Sequence, residues 1–358
     1  MKLSLCMIVK DEESVIARCL QSVGDLCDEI IVVDTGSQDN TIQIARNCGA
    51  NVYSFPWQYD FSAARNYSFS LASCDYILWL DADDILSKEN YSKLMDLKRQ
   101  LDGSVDAYFL RYDAAFDSFH NPTLSFYRER IVRRAANFLW TGAVHECIAV
   151  NSNIRRCDIA ITHLRSNHSR RGRNLFLFAH SFAHGTIPDE RQKYYFAREL
   201  FDNGLYETAA SVFENFLLGN GWQEDKIHAC RALALCYKCL GLPQKQLDSL
   251  FKSFEFAPPR SEICCDIGEL FVQKKNWNQA IFWYKLALNE QSCDGFTYPD
   301  CRGFLPCIWL SVCYDRLGDH VKANAYNEQA GRYKPLDKSF LHNRQYFHSI
   351  LHKKGDTL

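Results

Sequence analysis

The stretch YILWLDADD at residues 76–84 decides the expected fold of this chain. Its apolar run is typical of a buried strand, and it ends in three aspartates. Open α/β sheets bind ligands outside the carboxyl ends of their strands, so Asp81 and Asp83 would stand at the ligand-binding edge. Carboxylates suit Mg²⁺ or Mn²⁺, which usually keep substrate phosphates as further ligands. The stretch therefore points to an enzyme that handles a diphosphate.

The first 110 residues alternate predicted strands and helices with short loops between them. Strands are predicted at 3–9, 29–33, 51–55 and 76–80, and helices at 12–23, 41–48, 62–72 and 88–101. This order predicts a Rossmann-like, mostly parallel sheet with right-handed crossovers. Two further strands, at 107–112 and 125–133, are expected at a mixed edge of the same sheet.

Beyond about residue 190 the chain shows helical periodicity only, with a weak internal repeat. Comparable turns are marked by Gly204, Gly241, Asn276 and Gly318. A period near ~34 residues with this turn pattern resembles tetratricopeptide repeats. The alternative is an ordinary helical bundle. We expect two domains. The first is an α/β domain at 1–185, and the second is an all-α helical domain at 186–358 that recruits the second substrate, the acceptor, of the predicted enzyme.

Composition limits the partners and the compartment. The net charge of −2 gives no reason to expect nucleic acid or a membrane surface as a partner, and no apolar run of 18 residues is present. The start of the chain turns acidic too early for a signal peptide. Without a signal sequence the protein is expected to be cytoplasmic, and its sixteen scattered cysteines are expected to be reduced thiols. The sequence leaves the oligomeric state open, with a homodimer as one option.

A second acid, Asp34, ends an earlier predicted strand. The first strand ends at Val9 and Lys10, which should lie beside Asp34 at the same edge of the sheet. Backbone groups there, with the carboxylate, could hold a nucleoside through a uracil N–H or a ribose hydroxyl. The alternative is that Asp34 only caps its own turn.

Arg65 stands in the first turn of a predicted helix, in the segment FSAARN at 61–66. A cation at that end opposes the helix dipole, which suggests a phosphate partner. The alternative is a solvated arginine.

Four motifs together resemble the family 2 glycosyltransferases of the GT-A fold, over roughly residues 1–170. They are CMIVKDEE at 6–13, IIVVDTGS at 30–37 with Asp39 and Thr41, FSAARN at 61–66 and WLDADD at 79–84. The resemblance implies an inverting enzyme that uses a nucleotide-diphospho-sugar, commonly UDP-linked, with Mg²⁺ or Mn²⁺.

The same resemblance assigns roles to single residues. It implies that Asp34 contacts the base or ribose and that Arg65 lies on the pyrophosphate side. It also implies that Asp81, with Ala82 beside it, faces the ribose or sugar, and that Asp83 binds the metal.

An inverting enzyme needs a general base near the acceptor. The segment FLWTGAVHE at 138–146 resembles the Gly-x-Val-His-Glu segment of members fused to tetratricopeptide repeats. We expect Glu146 to be the base, with His145 and Trp140 lining the sugar or acceptor pocket. Two alternatives stay open: Glu146 pairs with a nearby arginine, or Asp84 is the base.

A predicted strand at 159–163 ends in His163, and the resemblance to the GT-A fold implies that a histidine late in the domain completes the metal shell. Imidazole tolerates Mn²⁺ better than Mg²⁺. The alternative is a hydrogen-bonded histidine at a strand end. A basic loop follows, which is expected either to close over the diphosphate or to be solvated. Its residues are Arg165, His168, Arg170, Arg171 and Arg173.

The fusion of these two domains resembles bacterial peptide S- or O-glycosyltransferases of glycosylated bacteriocin biosynthesis. That resemblance implies transfer from a UDP-sugar to a Cys thiol or a Ser/Thr hydroxyl of a peptide. The alternative acceptor is a cell-surface polysaccharide or other glycan. Two other classes are a non-catalytic repeat scaffold and a nucleotidyltransferase, although residues 6–13 lack the glycines typical of the latter. The identity of the sugar is not predictable from these motifs.

Overall fold

The computed structural model describes residues 1–150, 152–164, 172–289 and 295–352. The chain forms two compact units. The first is Met1–Tyr195 together with a short segment that ends at Phe296, and the second takes up the chain from Phe196 onward.

The first unit is built on a sheet whose strands lie in the order β3-β2-β1-β4-β7-β6-β10-β5, and a separate small sheet pairs β8 with β9. The strands are β1 (Leu3–Val9), β2 (Glu29–Asp34), β3 (Asn51–Ser54), β4 (Tyr76–Trp79), β5 (Asp84–Ile85), β6 (Ala107–Phe116), β7 (Pro122–Arg133), β8 (Trp140–Thr141), β9 (Cys147–Ile148) and β10 (Ile154–His163). Strands β1 to β4 pair in parallel, and β7 runs antiparallel to both β4 and β6. β10 pairs in parallel with β6 and antiparallel with β5. The predicted mostly parallel sheet with a mixed edge is confirmed.

Helices of this unit connect the strands. They are α1 (Ile16–Val23), α2 (Thr41–Asn47), α3 (Phe61–Ser70), α4 (Lys88–Arg99) and α5 (Arg173–Ala183). The carboxylate of Asp60 caps α3 by accepting from the Ala63 amide, and Ser87 caps α4 by accepting from Asn90. The first helix was expected from residue 12 but begins at Ile16. A turn at residues 13–15 precedes it, because Val15 has a φ of −128°, outside the helical range.

Both faces of the central strands are buried. One apolar layer contains Leu5 and Met7, and the other contains Cys6 and Trp79. In the second layer the ring of Trp140 meets Trp79 edge to face, with centroids 4.8 Å apart. The strand end that carries the aspartates is therefore held by packing on both sides.

The second unit is helical. After α6 (Glu190–Asp202), which spans the division between the units, come α7 (Tyr206–Leu218), α8 (Gln223–Cys239), α9 (Pro243–Lys252), α10 (Ser261–Gln273), α11 (Trp277–Leu288), α12 (Phe304–Arg316), α13 (His320–Tyr333) and α14 (Lys338–His352). Neighbouring helices pack as antiparallel hairpins, and fully buried Ala209, Ala280 and Ala323 let them approach closely. The prediction of an all-α unit of tetratricopeptide-like hairpins is confirmed.

None of the helices within the described ranges is long and apolar enough to cross a bilayer. The cysteines in those ranges, fifteen in number, are free thiols.

Candidate functional site

The residues after β4 form a tight turn that presents its carboxylates in two directions. The Asp84 amide donates to the Asp81 carbonyl at 3.0 Å, and the Asp81 amide donates back to the Asp84 Oδ2 at 3.0 Å. These two bonds close the turn from 81 to 84. Asp81 then joins one group of side chains and Asp83 another.

The first group, which we call the arginine cluster, consists of Arg65, Asp81 and Glu146. Arg65 Nη2 lies 2.7 Å from Asp81 Oδ1, and Arg65 Nε lies 2.5 Å from Glu146 Oε1. The guanidinium also lies over the rings of Trp79 and Trp140, at 4.9 and 4.8 Å from their centroids. The buried Arg65 thus joins Asp81, which is 16 residues away in the chain, to Glu146, which is 81 residues away.

Opposite charges control ionisation in this cluster. Burial works against the charged form of Arg65, but Asp81 and Glu146 raise its pKa above the usual value. Burial likewise tends to raise the pKa of Asp81, and the charge of Arg65 outweighs this and holds the pKa far below its usual range. Arg65 and Asp81 are therefore both ionised at neutral pH.

The second group, the histidine cluster, consists of Asp83, Asp84 and His163. His163 ends β10, and its Nδ1 lies 3.4 Å from Asp83 Oδ1 and 3.6 Å from Asp84 Oδ1. One ligand atom from each residue lies within 4.8 Å of the others. Burial tends to lower the pKa of His163, while the two carboxylates beside the ring raise it to about 9.

The histidine cluster has the chemistry of a divalent-cation site. His163 Nδ1 is buried, and within the described residues its contacts with the two carboxylates do not have hydrogen-bond geometry. Two carboxylates and one imidazole are a donor set that accepts Mn²⁺ and, through the oxygens, Mg²⁺. The predicted ligands Asp83 and His163 therefore fit such an ion, and their binding role stays a prediction.

Asp84 supports the turn from below. It is fully buried, and its oxygens accept from Arg130 Nη1 at 2.9 Å, from the Tyr112 hydroxyl at 3.0 Å and from the Asp81 amide. A base must come within hydrogen-bond reach of the attacking atom. The alternative in which Asp84 is the base is therefore not supported, since the carboxylate is enclosed by the protein.

Strands β1 and β2 end side by side, as expected, with Val9 opposite Asp34. The Val9 carbonyl accepts from the Thr35 amide at 2.9 Å, and partly exposed Lys10 follows. Asp34 is only 3% exposed, and its carboxylate accepts from the amides at 36 and 37. The turn-capping alternative thus describes its observed contacts, while contact of Asp34 with a nucleoside stays a prediction.

The loop from Trp140 to Glu146 is tied to α3. Asn66 accepts from the Trp140 amide at 2.8 Å and donates to the Trp140 carbonyl at 3.0 Å. The expectation that Trp140 lines the pocket is wrong, because its ring is 2% exposed and packs in the apolar core. His145 is partly exposed, has a φ of 51° and stacks on Tyr195 at 4.3 Å, and its pocket role stays a prediction.

Arg65 was expected on the pyrophosphate side, and its observed partners are carboxylates. With 8% of its surface exposed, it is not a solvated arginine. Glu146 pairs with Arg65 through Oε1, as the alternative predicted. Its other oxygen can keep the base role, which stays a prediction. Ala82, between the two aspartates, is buried.

Sequence reasoning missed Arg128, Arg130 and Tyr112. The ring of Trp79 lies 5.0 Å from the Arg128 guanidinium and 3.8 Å from that of Arg130. The sequence did contain a signal for the two arginines. Arg128 and Arg130 lie on the same face of a predicted strand, and charged side chains are unusual inside a sheet because arginine is rarely buried. Residues 165–171 of the expected basic loop lie outside the described ranges. Arg173 begins α5, and its guanidinium lies 5.1 Å from the centroid of the Phe61 ring.

Residues 4–159 match the Glycosyl transferase family 2 model. A TPR repeat-containing protein of Synechococcus elongatus is 50% identical over 101 residues, which are 28% of this chain and 24% of that protein. The SPbeta prophage-derived glycosyltransferase SunS of Bacillus subtilis is 38% identical over 99 residues, 27% of this chain and 23% of SunS. The matches thus span about a quarter of these relatives. The crystal structure of S. aureus TarS 1-349 in complex with UDP has a TM-score of 0.36 at 16% identity, over 71% of this chain and 88% of that one.

Proposed function

Because residues 4–159 match the Glycosyl transferase family 2 model, we propose that the protein is an inverting, metal-dependent glycosyltransferase. It moves a sugar from a UDP-sugar to a Cys thiol or a Ser/Thr hydroxyl of a peptide. The observation that carries the proposal is the turn from 81 to 84, which separates a carboxylate paired with arginine from a carboxylate beside an imidazole. We place the reaction in the bacterial cytoplasm, which suits the free thiols.

The histidine cluster is the cation site in this proposal. Asp83 and His163 would hold Mg²⁺ or Mn²⁺, and the bound cation would act as a Lewis acid for the negative charge on the leaving diphosphate. Asp84 would not contact the substrate. Its role is to fix the turn that presents Asp83.

Glu146 is the proposed general base. Its contact with Arg65 through Oε1 fixes its direction, and the second oxygen can take a proton. The acceptor sulfur or oxygen attacks the anomeric carbon while the bond to the diphosphate oxygen breaks on the opposite side. The acceptor proton passes to Glu146, and the anomeric configuration is inverted.

Arg65 then has a positioning role within this reaction, because it holds Asp81 and Glu146 in one fixed geometry. Asp81 and Ala82 are proposed to face the ribose or sugar, and Val9, Lys10 and Asp34 to hold the nucleoside. His145 is proposed to line the acceptor side.

A peptide is the proposed acceptor because stacked helical hairpins commonly form extended surfaces for peptides. The second unit consists of such hairpins from α7 to α14. The sequence resemblance to peptide glycosyltransferases points in the same direction.

The test is a screen for UDP release from a panel of UDP-sugars in Mn²⁺, Mg²⁺ or EDTA. Each donor is assayed alone, with a peptide that contains Cys and Ser, and with a glycan acceptor, and the products are analysed by mass spectrometry. The proposal predicts metal-dependent UDP release that the peptide raises, with a matching gain in peptide mass.

Two controls interpret this screen. Asp83→Ala should lose the activity, whereas Asp96→Ala, a change at an exposed aspartate of α4, should keep it. Stimulation by the glycan alone would contradict the peptide acceptor, and no release from any donor would contradict the enzyme itself.

A further inference from the structure

A buried ion pair lies beneath the turn that carries Asp83. Arg130 of β7 is 1% exposed, and its Nη1 donates to Asp84 Oδ2 at 2.9 Å and to the Trp79 carbonyl at 3.3 Å. The guanidinium also contacts two rings, at 3.8 Å from the centroid of Trp79 and 4.4 Å from that of Tyr112. Neither charge of this pair reaches solvent.

Stability alone does not account for this arrangement. Taking two charges out of water costs free energy that their attraction often fails to return, and apolar residues of similar volume serve a core as well or better. Arg130 Nε is moreover buried without a hydrogen-bond partner in the described residues, which adds a further cost. The pair is therefore better explained by a role in positioning the residues around it.

The contacts of Asp84 connect Arg130 to the proposed cation ligands. Asp84 Oδ2 accepts from Arg130 and also from the Asp81 amide, while Oδ1 accepts from the Tyr112 hydroxyl. Both oxygens are thus fixed, and with them the turn that contains Asp83. The backbone of Asp84 also pairs with His163 across β5 and β10, so the same residue aligns both proposed ligands.

We propose that Arg130 is a positioning residue for the cation site. Acting through Asp84, it sets the direction in which Asp83 and His163 present their ligand atoms. The inference rests on the proposed function, since it concerns the cation that this function requires. Outer residues that orient metal ligands typically contribute ~10–100-fold to metal affinity.

The positioning role requires an arginine at residue 130 and not merely any positively charged side chain. Nη1 of Arg130 donates to both Asp84 and the Trp79 carbonyl, while the flat face of the guanidinium contacts the aromatic rings. Lysine would keep the charge but would lose the flat face and the geometry that it fixes. Arg130→Lys therefore separates geometry from charge neutralisation.

The experiment measures Mn²⁺ binding to the whole 358-residue chain with UDP present, by electron paramagnetic resonance of the free ion. Arg130→Lys should bind Mn²⁺ roughly 10-fold more weakly than the wild type. Tyr112→Phe removes one hydrogen bond to Asp84 Oδ1 and should weaken binding by a smaller factor. Arg133→Lys, at the last residue of β7 where Arg133 pairs with Asp106 instead of Asp84, is the matched control and should bind normally.

The outcomes separate this inference from the proposed function. A folded Arg130→Lys protein with wild-type Mn²⁺ affinity would overturn the positioning role. Should Arg130→Lys fail to fold, Tyr112→Phe decides: weaker binding supports the role and unchanged binding overturns it. If the wild type itself does not bind Mn²⁺, the metal-dependent function fails, and the positioning role fails with it.

A second readout distinguishes positioning from general structure. In donor hydrolysis, Arg130→Lys should need more Mn²⁺ for half-maximal rate but reach a similar rate at saturating Mn²⁺. A loss of rate that Mn²⁺ does not restore would contradict positioning of the cation ligands.

Discussion

Asp81 and Asp83 are two residues apart in the chain, yet different neighbours compensate their charges. Asp81 lies against the Arg65 guanidinium, which also holds Glu146. Asp83 lies beside His163, an imidazole whose charge depends on pH. The arginine cluster therefore carries a permanent internal cation, whereas the charge of the histidine cluster changes with pH, and we propose that a metal ion takes the place of its proton.

The difference shows how one turn can provide two functions. Arginine does not lose its proton in proteins, so the arginine cluster keeps one arrangement at every physiological pH. A histidine with a pKa raised to about 9 releases its proton when a cation takes that place. One cluster is thus suited to hold a base, and the other to bind an ion.

The largest expected effect is at Asp83. Asp83→Ala removes a carboxylate ligand of the proposed cation, and sugar transfer should fall by roughly three orders of magnitude or more. Mn²⁺-dependent binding of UDP should be lost in calorimetry. Asp96→Ala is the control, and full activity of Asp83→Ala would show that the cation binds elsewhere.

Arg65 tests the arginine cluster. Arg65→Met leaves Asp81 and Glu146 without their cation, so the free energy of unfolding at pH 7 should fall by about 3 kcal/mol. This figure is at the low end for a buried pair, because Asp81 is about one-third exposed and partly screened by water. The exposed pair of Arg99 supplies the control Arg99→Met, for which we expect a change below about 0.5 kcal/mol in urea unfolding.

The effect of Arg65→Met on the free energy of unfolding should depend on pH. The folded pKa of Asp81 lies below its unfolded value of ~3.9, so its pairing stabilises the protein above that pH and is lost as the pH falls further. The difference in stability between the wild type and Arg65→Met should therefore narrow below pH ~4. A constant difference down to pH 2.5 would contradict the ion-pair account.

Glu146 tests the base. Glu146→Gln keeps an oxygen for Arg65 but cannot take a proton, so kcat should fall about a hundredfold while the affinity for UDP-sugar stays the same. The loss should be smaller with a Cys peptide than with a Ser peptide, because a thiol is itself partly ionised near neutral pH. Unchanged kcat with a Ser acceptor would remove Glu146 from the base role, and Glu89→Gln at an exposed glutamate of α4 is the control.

His163 gives the smallest effect. Its folded pKa of about 9 exceeds the unfolded value of ~6.5, so without metal its pairing stabilises the protein below pH ~6.5 and is lost as the pH rises through about 9. Mn²⁺ must displace that proton, so Mn²⁺ affinity should rise by at most roughly tenfold per pH unit over the same window. His163→Asn should bind more weakly with a flat profile, and an equally steep profile in that variant would exclude His163 as the ligand.

Local sequence patterns were sufficient to predict most strands. β1 was predicted at the observed residues Leu3–Val9, and β4 ends within one residue of its predicted end, because apolar runs there stop abruptly at polar turns. β6 and β7 are longer than predicted and reach Phe116 and Pro122, since pairing with each other extends them beyond their apolar centres.

Contacts between distant strands were not predictable in this way. Arg130 meets Asp84 only because β7 lies between β4 and β6 in the sheet, an order that no local pattern reveals. Trp140 was expected in a pocket and lies in the core, because Asn66 fixes the loop that places its ring against Trp79. The motif residues were therefore readable from the sequence, and the residues that position them required the sheet order.

The most direct test of the difference between the two clusters is the anomalous scattering of manganese in crystals grown with Mn²⁺ and UDP. The account predicts a peak bound by the Asp83 carboxylate and the His163 imidazole, with Arg65 still between Asp81 and Glu146. A peak held by Asp81 and Glu146, or one that contacts neither Asp83 nor His163, would contradict it.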